Sequence, residues 1–213
     1  AKFKKLTPVD ENSANPYTLT DDDRTVIGNT TPKFSGGFGL NATFKGFDVS
    51  AFFNFMYDFD VFNANKVMMT TWASNNYNNF SMDISAAKRW RNFDDMGNEI
   101  RYSPEILAEF NKNATMWNPT SIGRPIAMSY AVEDGSFLRL NTATIGYTLP
   151  RAWTNKVGLS RVRFYASGYN LFTITGYSGY DPEVDIATGL TPNIDNNRYP
   201  RSRTYTFGVQ LTF

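Results

Sequence analysis

The sequence predicts an all-β fold: the C-terminal portion of a transmembrane β-barrel, about five antiparallel strands joined partly by long extracellular loops. Three observations lead there. The 213-residue chain closes on RTYTFGVQLTF, where Tyr205, Phe207, Val209, Leu211 and Phe213 alternate without a slip against Thr204, Thr206, Gly208, Gln210 and Thr212. The stretch PKFSGGFGLNATFKGFDVSAFFNFMYDFDVF repeats that alternation over two long runs. The sequence also holds no run of about 18 apolar residues, so no helical span is expected.

Composition narrows the function classes. Histidine and cysteine are both absent, which removes disulfides, thiolate catalysis, cysteine or histidine metal sites and any triad with a histidine base. An enzyme is therefore not expected. A net charge of +1 supplies no field for nucleic acid or acidic partners. Aromatic residues reach 16%, with 18 Phe and 12 Tyr, and they crowd the alternating runs, where a soluble core would mix in more Val, Ile and Leu. The opening AKFKKLTPVD has no apolar stretch behind its lysines, so no signal peptide is expected.

Residues 1–32 are assigned to an extracellular segment and 33–58 to a β-hairpin. In the hairpin, Phe34, Gly36, Phe38, Leu40, Ala42 and Phe44 share a face, and Ser35, Gly37, Gly39, Asn41 and Thr43 share the other. Lys45-Gly46 is a two-residue turn signal. Phe47, Val49, Ala51, Phe53, Phe55 and Tyr57 then oppose Asp48, Ser50, Asn54, Met56 and Asp58, and Phe52 alone breaks the polar face. One such strand fits a soluble sandwich as well as a barrel. Length favours the barrel. Strands of globular proteins usually run about 5–6 residues, whereas about 11 residues at ~3.4 Å, tilted by ~40°, climb about 28 Å and match the apolar band of a bilayer.

Residues 59–134 show no period-two pattern and are assigned to a long extracellular loop. SPEILAEFNKN predicts a short helix, with Ser103 as N-cap, Pro104 at the first position and Glu105 in the first turn. NANKVMMTTW is a second candidate. Two strands follow over 135–175. Ala143, Ile145, Tyr147 and Leu149 share a face, but Arg139 and Asn141 fall on it too, so either a bulge intervenes or the strand projects beyond the lipid there. In the next strand Val162, Phe164, Ala166 and Gly168 alternate with Arg161, Arg163, Tyr165 and Ser167. Residues 176–200 form a second extracellular loop, and 201–213 the terminal strand.

The connections thus run short, very long, medium, long. With short ones periplasmic and long ones outside, the last residue reaches the periplasm. Five strands cannot close, because known membrane barrels need at least about eight and an open edge in lipid leaves backbone groups unpaired. The remaining strands are expected in an upstream piece or a separate chain.

The segments DDDRTVIGNTTPKFSGGFGLNATFKGFDVSAFFNF, EDGSFLRLNTATIGYTLP, RVRFYASGYNLFTITGYSGYDPEV and YPRSRTYTFGVQLTF resemble the C-terminal barrel of SusC/RagA-type TonB-dependent transporters of Bacteroidetes, in the same order and at similar spacing. The resemblance implies a barrel of about 22 strands around an N-terminal plug, a SusD-like surface lipoprotein as lid, and nutrient uptake of oligosaccharides (glycan import) or peptides driven through TonB. Plug and TonB contact would lie outside these 213 residues. The partners implied are the remaining strands and plug, the lipoprotein, TonB, and outer-membrane lipid. No cofactor is implied.

Candidate sites follow. Tyr205, Phe207, Val209, Leu211 and Phe213 read as a barrel-assembly signal, a strand end able to add to a sheet edge, or simply as lipid-facing residues. Trp72, Tyr77, Trp90, Tyr102 and Trp117 in the first long loop, with Tyr177 and Tyr180 in the second, fit three roles: a core for the loops, contact with the lid, or stacking on a sugar substrate. Asp21, Asp22 and Asp23 have the oxygens for a cation but lack the glycine and alternating spacing of a calcium loop, so a solvated acidic turn is the simpler reading. Ser85 to Lys88 spells Ser-x-x-Lys without companion motifs, and GGFG sits inside a strand, where it cannot cradle phosphate. Asp48, Asn54, Asp58, Arg161 and Arg163 are candidates for the lumen face. The competing functions are a passive or structural barrel, a surface adhesin, and a soluble sandwich.

Overall fold

A computed structural model describes residues 3–9, 11, 18–72, 79–121, 126–184 and 192–213. The chain divides into two compact units, one of Ala1–Ile27 with Asn63–Ala131, the other of Gly28–Phe62 with Val132–Phe213.

In the second unit, β1 (Phe34–Phe44) and β2 (Phe47–Tyr57) form the hairpin, with Lys45 and Gly46 at φ 46° and 90° in its turn. Positive φ at both central residues is the backbone that matches strand twist. β3 (Asp60–Asn63) follows at once. Further along come β4 (Val132–Asp134), β5 (Phe137–Thr148), β6 (Arg161–Thr175), β7 (Ile194–Asp195) and β8 (Thr204–Thr212). The main sheet is antiparallel, in the order β1-β2-β5-β6-β8, so β1 and β8 are its edges. A small sheet, β4-β3-β7, takes its strands from the ends of the region between β2 and β5 and from the region between β6 and β8. Residues 59–134 are therefore not all loop. Strands of two to four residues are too short to leave an alternation in the sequence.

Register settles the facing. Phe44, Phe47, Tyr147, Phe164 and Val209 oppose one another across the five strands, as do Ala42, Val49, Ile145, Ala166 and Phe207 one step on. Of the two explanations for Arg139 and Asn141, the bulge is the one realised. The ladder jumps from Thr142 to Leu140, Asn141 is the extra residue, and Leu140 and Leu138 return to the apolar face opposite Phe53 and Phe55. On β6, Asn170 at φ 51° makes the matching irregularity.

Most of the apolar face is bare, although Val162 and Leu140 on it are buried. Phe34, Leu40, Phe44, Tyr57, Ile145, Ile174 and Phe207 are each between half and four-fifths exposed. Soluble monomers rarely expose contiguous apolar patches above a few hundred Å², and this one runs the width of the sheet.

In the first unit, α1 (Ala64–Met68) is capped by Asn63, whose side chain accepts from the Lys66 N–H at 3.3 Å. The predicted helix appears as α2 (Pro104–Asn111), with Ser103 at its N-cap and Pro104 at its first position. Buried Val67, Ile84, Ile100 and Met128 lie within this unit. A short turn of helix, α3 (Arg151–Thr154), belongs to the β5–β6 connection of the second unit.

Candidate functional site

The polar face of the main sheet is where the strands bring chemistry together. Near the short turns, Asp48 on β2 and Arg163 on β6 reach across β5. Arg163 Nε donates to Asp48 Oδ1 at 2.9 Å and Nη2 to Oδ2, a two-bonded clamp of fixed geometry. The crossing is possible because the strand between them carries Gly146 at that register, where a Cβ would run into both the guanidinium and the carboxylate. Tyr165 likewise lies over Gly208 of β8, with the Arg163 guanidinium 5.3 Å from its ring centre. Phe52, the exception in the alternation, covers Gly37 of β1. One step on, Thr144 and Ser167 hydroxyls pair at 2.8 Å. Asp48, Asn54, Arg161 and Arg163 share this polar face; Asp58 lies beyond the end of β2, at φ 59°, paired with Lys33.

Toward the long connections the same face is covered. Arg139, displaced onto it by the bulge, is 2% exposed and pairs with Asp181 and Glu183; Glu183 in turn meets Arg201 at 2.7 Å. FLRL, GYDPEV and YPRSR, three of the strings on which the family resemblance rests, thus converge in one ion-pair network. Beside it Phe59, Val61, Phe137, Tyr177 and Val184 form a small core. The Tyr177 hydroxyl donates to Asp195 Oδ2 at 2.7 Å; burial first, then that carboxylate, push its pKa far above the ordinary tyrosine range.

The candidate aromatics separate by environment. Tyr177, 6% exposed, is a core residue and offers no surface to a lid or a substrate. Tyr180 is 83% exposed. In the first unit, Trp117 is half-buried, packs edge-on against Tyr130 and donates its indole N–H to the Thr70 carbonyl at 3.0 Å, as a loop core requires. Trp72 stacks at a tilt on Phe80, Trp90 keeps two-fifths of its surface, and Tyr102 is nearly free. Tyr77 lies outside the described residues. Tyr205, Phe207, Val209, Leu211 and Phe213 all stand exposed on the apolar side of edge strand β8.

The three N-terminal aspartates do not converge. Asp23 accepts from the N–H groups of Thr20, Leu6 and Thr7 and from the Thr7 hydroxyl, which hold its carboxyl well below the usual range, and Asp21 pairs with Arg24. Among the described residues no group of three acidic side chains is arranged to hold a metal. No described helix is long and apolar enough to cross a membrane, which leaves spanning by strands untouched.

Arg139, Asp181, Glu183 and Arg201 are the residues that the alternation pattern passes over. The signal available was a lone arginine breaking phase on an apolar face.

No family model matches the chain. It is 32% identical to TonB-dependent receptor P3 of Formosa agariphila over 92% of this chain and 18% of that protein. It is 32% identical to TonB-dependent receptor SusC of Bacteroides thetaiotaomicron over 70% of this chain and 15% of that one. In three dimensions it is similar to a chain of the RagAB peptide importer in its closed-closed state, with TM-score 0.69 and 25% identity, over 92% of this chain and 19% of that chain. These structural neighbours are β-barrels, and the receptors are not enzymes. The chain spans less than a fifth of the length of the relatives it matches.

Proposed function

We propose, for a chain whose sequence and fold are those of a segment of SusC/RagA-type TonB-dependent receptors, that it forms the C-terminal part of the barrel wall of an outer-membrane importer. The wall comprises 33–58, 135–175 and 201–213; residues 1–32, 59–134 and 176–200 lie outside the cell, and Phe213 faces the periplasm. One observation carries the reading: a five-stranded sheet has one apolar face, most of it exposed, a polar face opposite, and edges at β1 and β8 left for further strands. Lipid covers the first face and an aqueous interior meets the second. The complete receptor takes up an oligosaccharide or a peptide, works with a SusD-like lipoprotein lid, and draws energy through TonB. The exposed Tyr180, Tyr102, Trp72 and Trp90 are the surface available to lid or substrate, and β8 with its four apolar residues, followed by Phe213, is the assembly signal.

The test is made on the full-length receptor in its own outer membrane. Uptake of a fluorescent oligosaccharide or oligopeptide is expected to stop on adding a protonophore, and pull-down of the receptor is expected to bring a surface lipoprotein, identified by mass. Uptake that persists without the proton gradient overturns the importer assignment in favour of a passive pore. Extraction of the receptor by buffer alone, as a monodisperse monomer, overturns the membrane assignment itself.

A further inference from the structure

We propose that the rim of the sheet beside the short turns is a binding site for an anionic glycerophospholipid of the inner leaflet. The proposal rests on the membrane reading above and is independent of what the receptor imports.

Two features meet there. The apolar face is not flat: Ile145 and Ala166 floor a groove walled by Tyr147, Phe164, Phe207 and Val209. Its lining is that of a hydrocarbon chain site, without a charged side chain along it. At its end by the turns, Phe47 packs at a tilt on Tyr147 with ring centres 4.4 Å apart, and Gly46 is packed so closely against Tyr147 that a Cβ would touch the ring at 3.2 Å. The hairpin turn therefore closes the groove. Its Lys45 leans back over Phe44, the ammonium 5.2 Å above the ring, on the lipid-facing side.

The second feature is charge. Thr148 donates its N–H to the Gly46 carbonyl at 2.8 Å, which brings the β5–β6 connection beside the hairpin turn. That connection adds Arg151 and Lys156, both exposed, together with an exposed Trp153 and Val157. Between residues 42–50, 144–164 and 204–213 the one side-chain carboxylate is Asp48, and it is already clamped by Arg163 on the opposite face. Lys45, Arg151 and Lys156 thus form a cationic rim, with positive charge in excess over the side-chain carboxylates of these three stretches. An apolar groove ending in exposed cations and a solvent-facing indole is complementary to an acyl chain ending in a phosphodiester. A zwitterionic headgroup carries its own cation and gains less. The uncharged groove takes the acyl chain, and the excess positive charge selects the headgroup.

The experiment uses the full-length receptor in detergent with equal amounts of dioleoyl-phosphatidylglycerol and dioleoyl-phosphatidylcholine, read by native mass spectrometry. Phosphatidylglycerol is expected to be retained in preference, by about fivefold for each rim cation in contact. Lys45→Gln alone lowers that ratio, and Lys45→Gln with Arg151→Gln and Lys156→Gln brings it to parity. Ala166→Leu, which fills the groove floor, reduces retention of both lipids. Lys33→Gln, at the other end of β1, leaves the ratio unchanged. Parity in the unmodified receptor, or a preference that survives the triple substitution, overturns the proposal. So does retention of co-purified lipid A in place of phosphatidylglycerol.

Discussion

The half of the main sheet beside the short turns and the half beside the long connections share an apolar face and differ on the other. Beside the turns the polar face is open: Asp48, Arg163 and Tyr165 lie along it in partial contact with solvent. Beside the long connections it is roofed by the chain's own return, and Arg139, Phe137 and Tyr177 are as buried as residues of a soluble core. A barrel wall can thus be uniform toward lipid while its inner side changes from exposed polar surface to packed interior within the length of one strand. The change is made by one inserted residue, Asn141, which exchanges the faces of everything before it on β5.

Removing Arg139 breaks the roofed half alone. Arg139→Ala leaves Asp181 without its cation and Glu183 with Arg201 only, and loss of one partner of a buried ion pair costs about 3–5 kcal/mol. The full-length receptor is expected to show a lower midpoint for heat-modifiable gel mobility and early proteolysis within 176–203, with the hairpin 34–57 protected. Loss of protection in both halves together would mean that the two are a single cooperative unit.

The apolar face, common to both halves, is tested by charge. Val209→Arg, on the lipid side in the row beside the short turns, is expected to cost about 1–2 kcal/mol, between the interfacial and midplane penalties, whereas Gln210→Arg, on the polar side, is milder. Equal shifts of the gel midpoint would contradict the facing. Within the roofed half, Tyr177→Phe strips buried Asp195 of a hydrogen bond and costs about 1–3 kcal/mol, visible as faster hydrogen exchange around 177 and 195 without change in β8. The smallest effect belongs to the open half. Gly146→Leu pushes Asp48 and Arg163 apart, but both are partly exposed, so about 1 kcal/mol or less is expected. The sharper readout is the cross-strand pair itself: a crystal structure of the Gly146→Leu receptor should show the clamp broken and the β2–β5–β6 ladder intact.

The contrast between the halves also sets what could be read from residues alone. The hairpin and β8 were legible because period two survives along their length and register depends on nothing else. At Arg139 the phase break was legible and its cause was not; bulge and projection predict the same sequence, and the acidic partners sit 42 residues away in the case of Asp181. Phe52 reads as a fault until it is seen to cover a glycine on the neighbouring strand. The sheet of β3, β4 and β7 left no pattern because its strands are shorter than two full alternations or barely reach them. Among the loop aromatics, composition could not separate Trp117 and Tyr177, held by hydrogen bonds to Thr70 and Asp195, from Tyr102 and Tyr180, which project. That distinction is made by contacts distant in sequence.

Where Gly146 and Gly208 leave bare backbone, the arginine, carboxylate and phenol of neighbouring strands recline along the sheet instead of standing up from it. The surface they make is charged yet of low relief, with its strongest dipoles held tangential to the wall. A body seated against such a lining meets few projecting side chains, so it can be gripped weakly at many points and turn or slide without any one residue having to change rotamer.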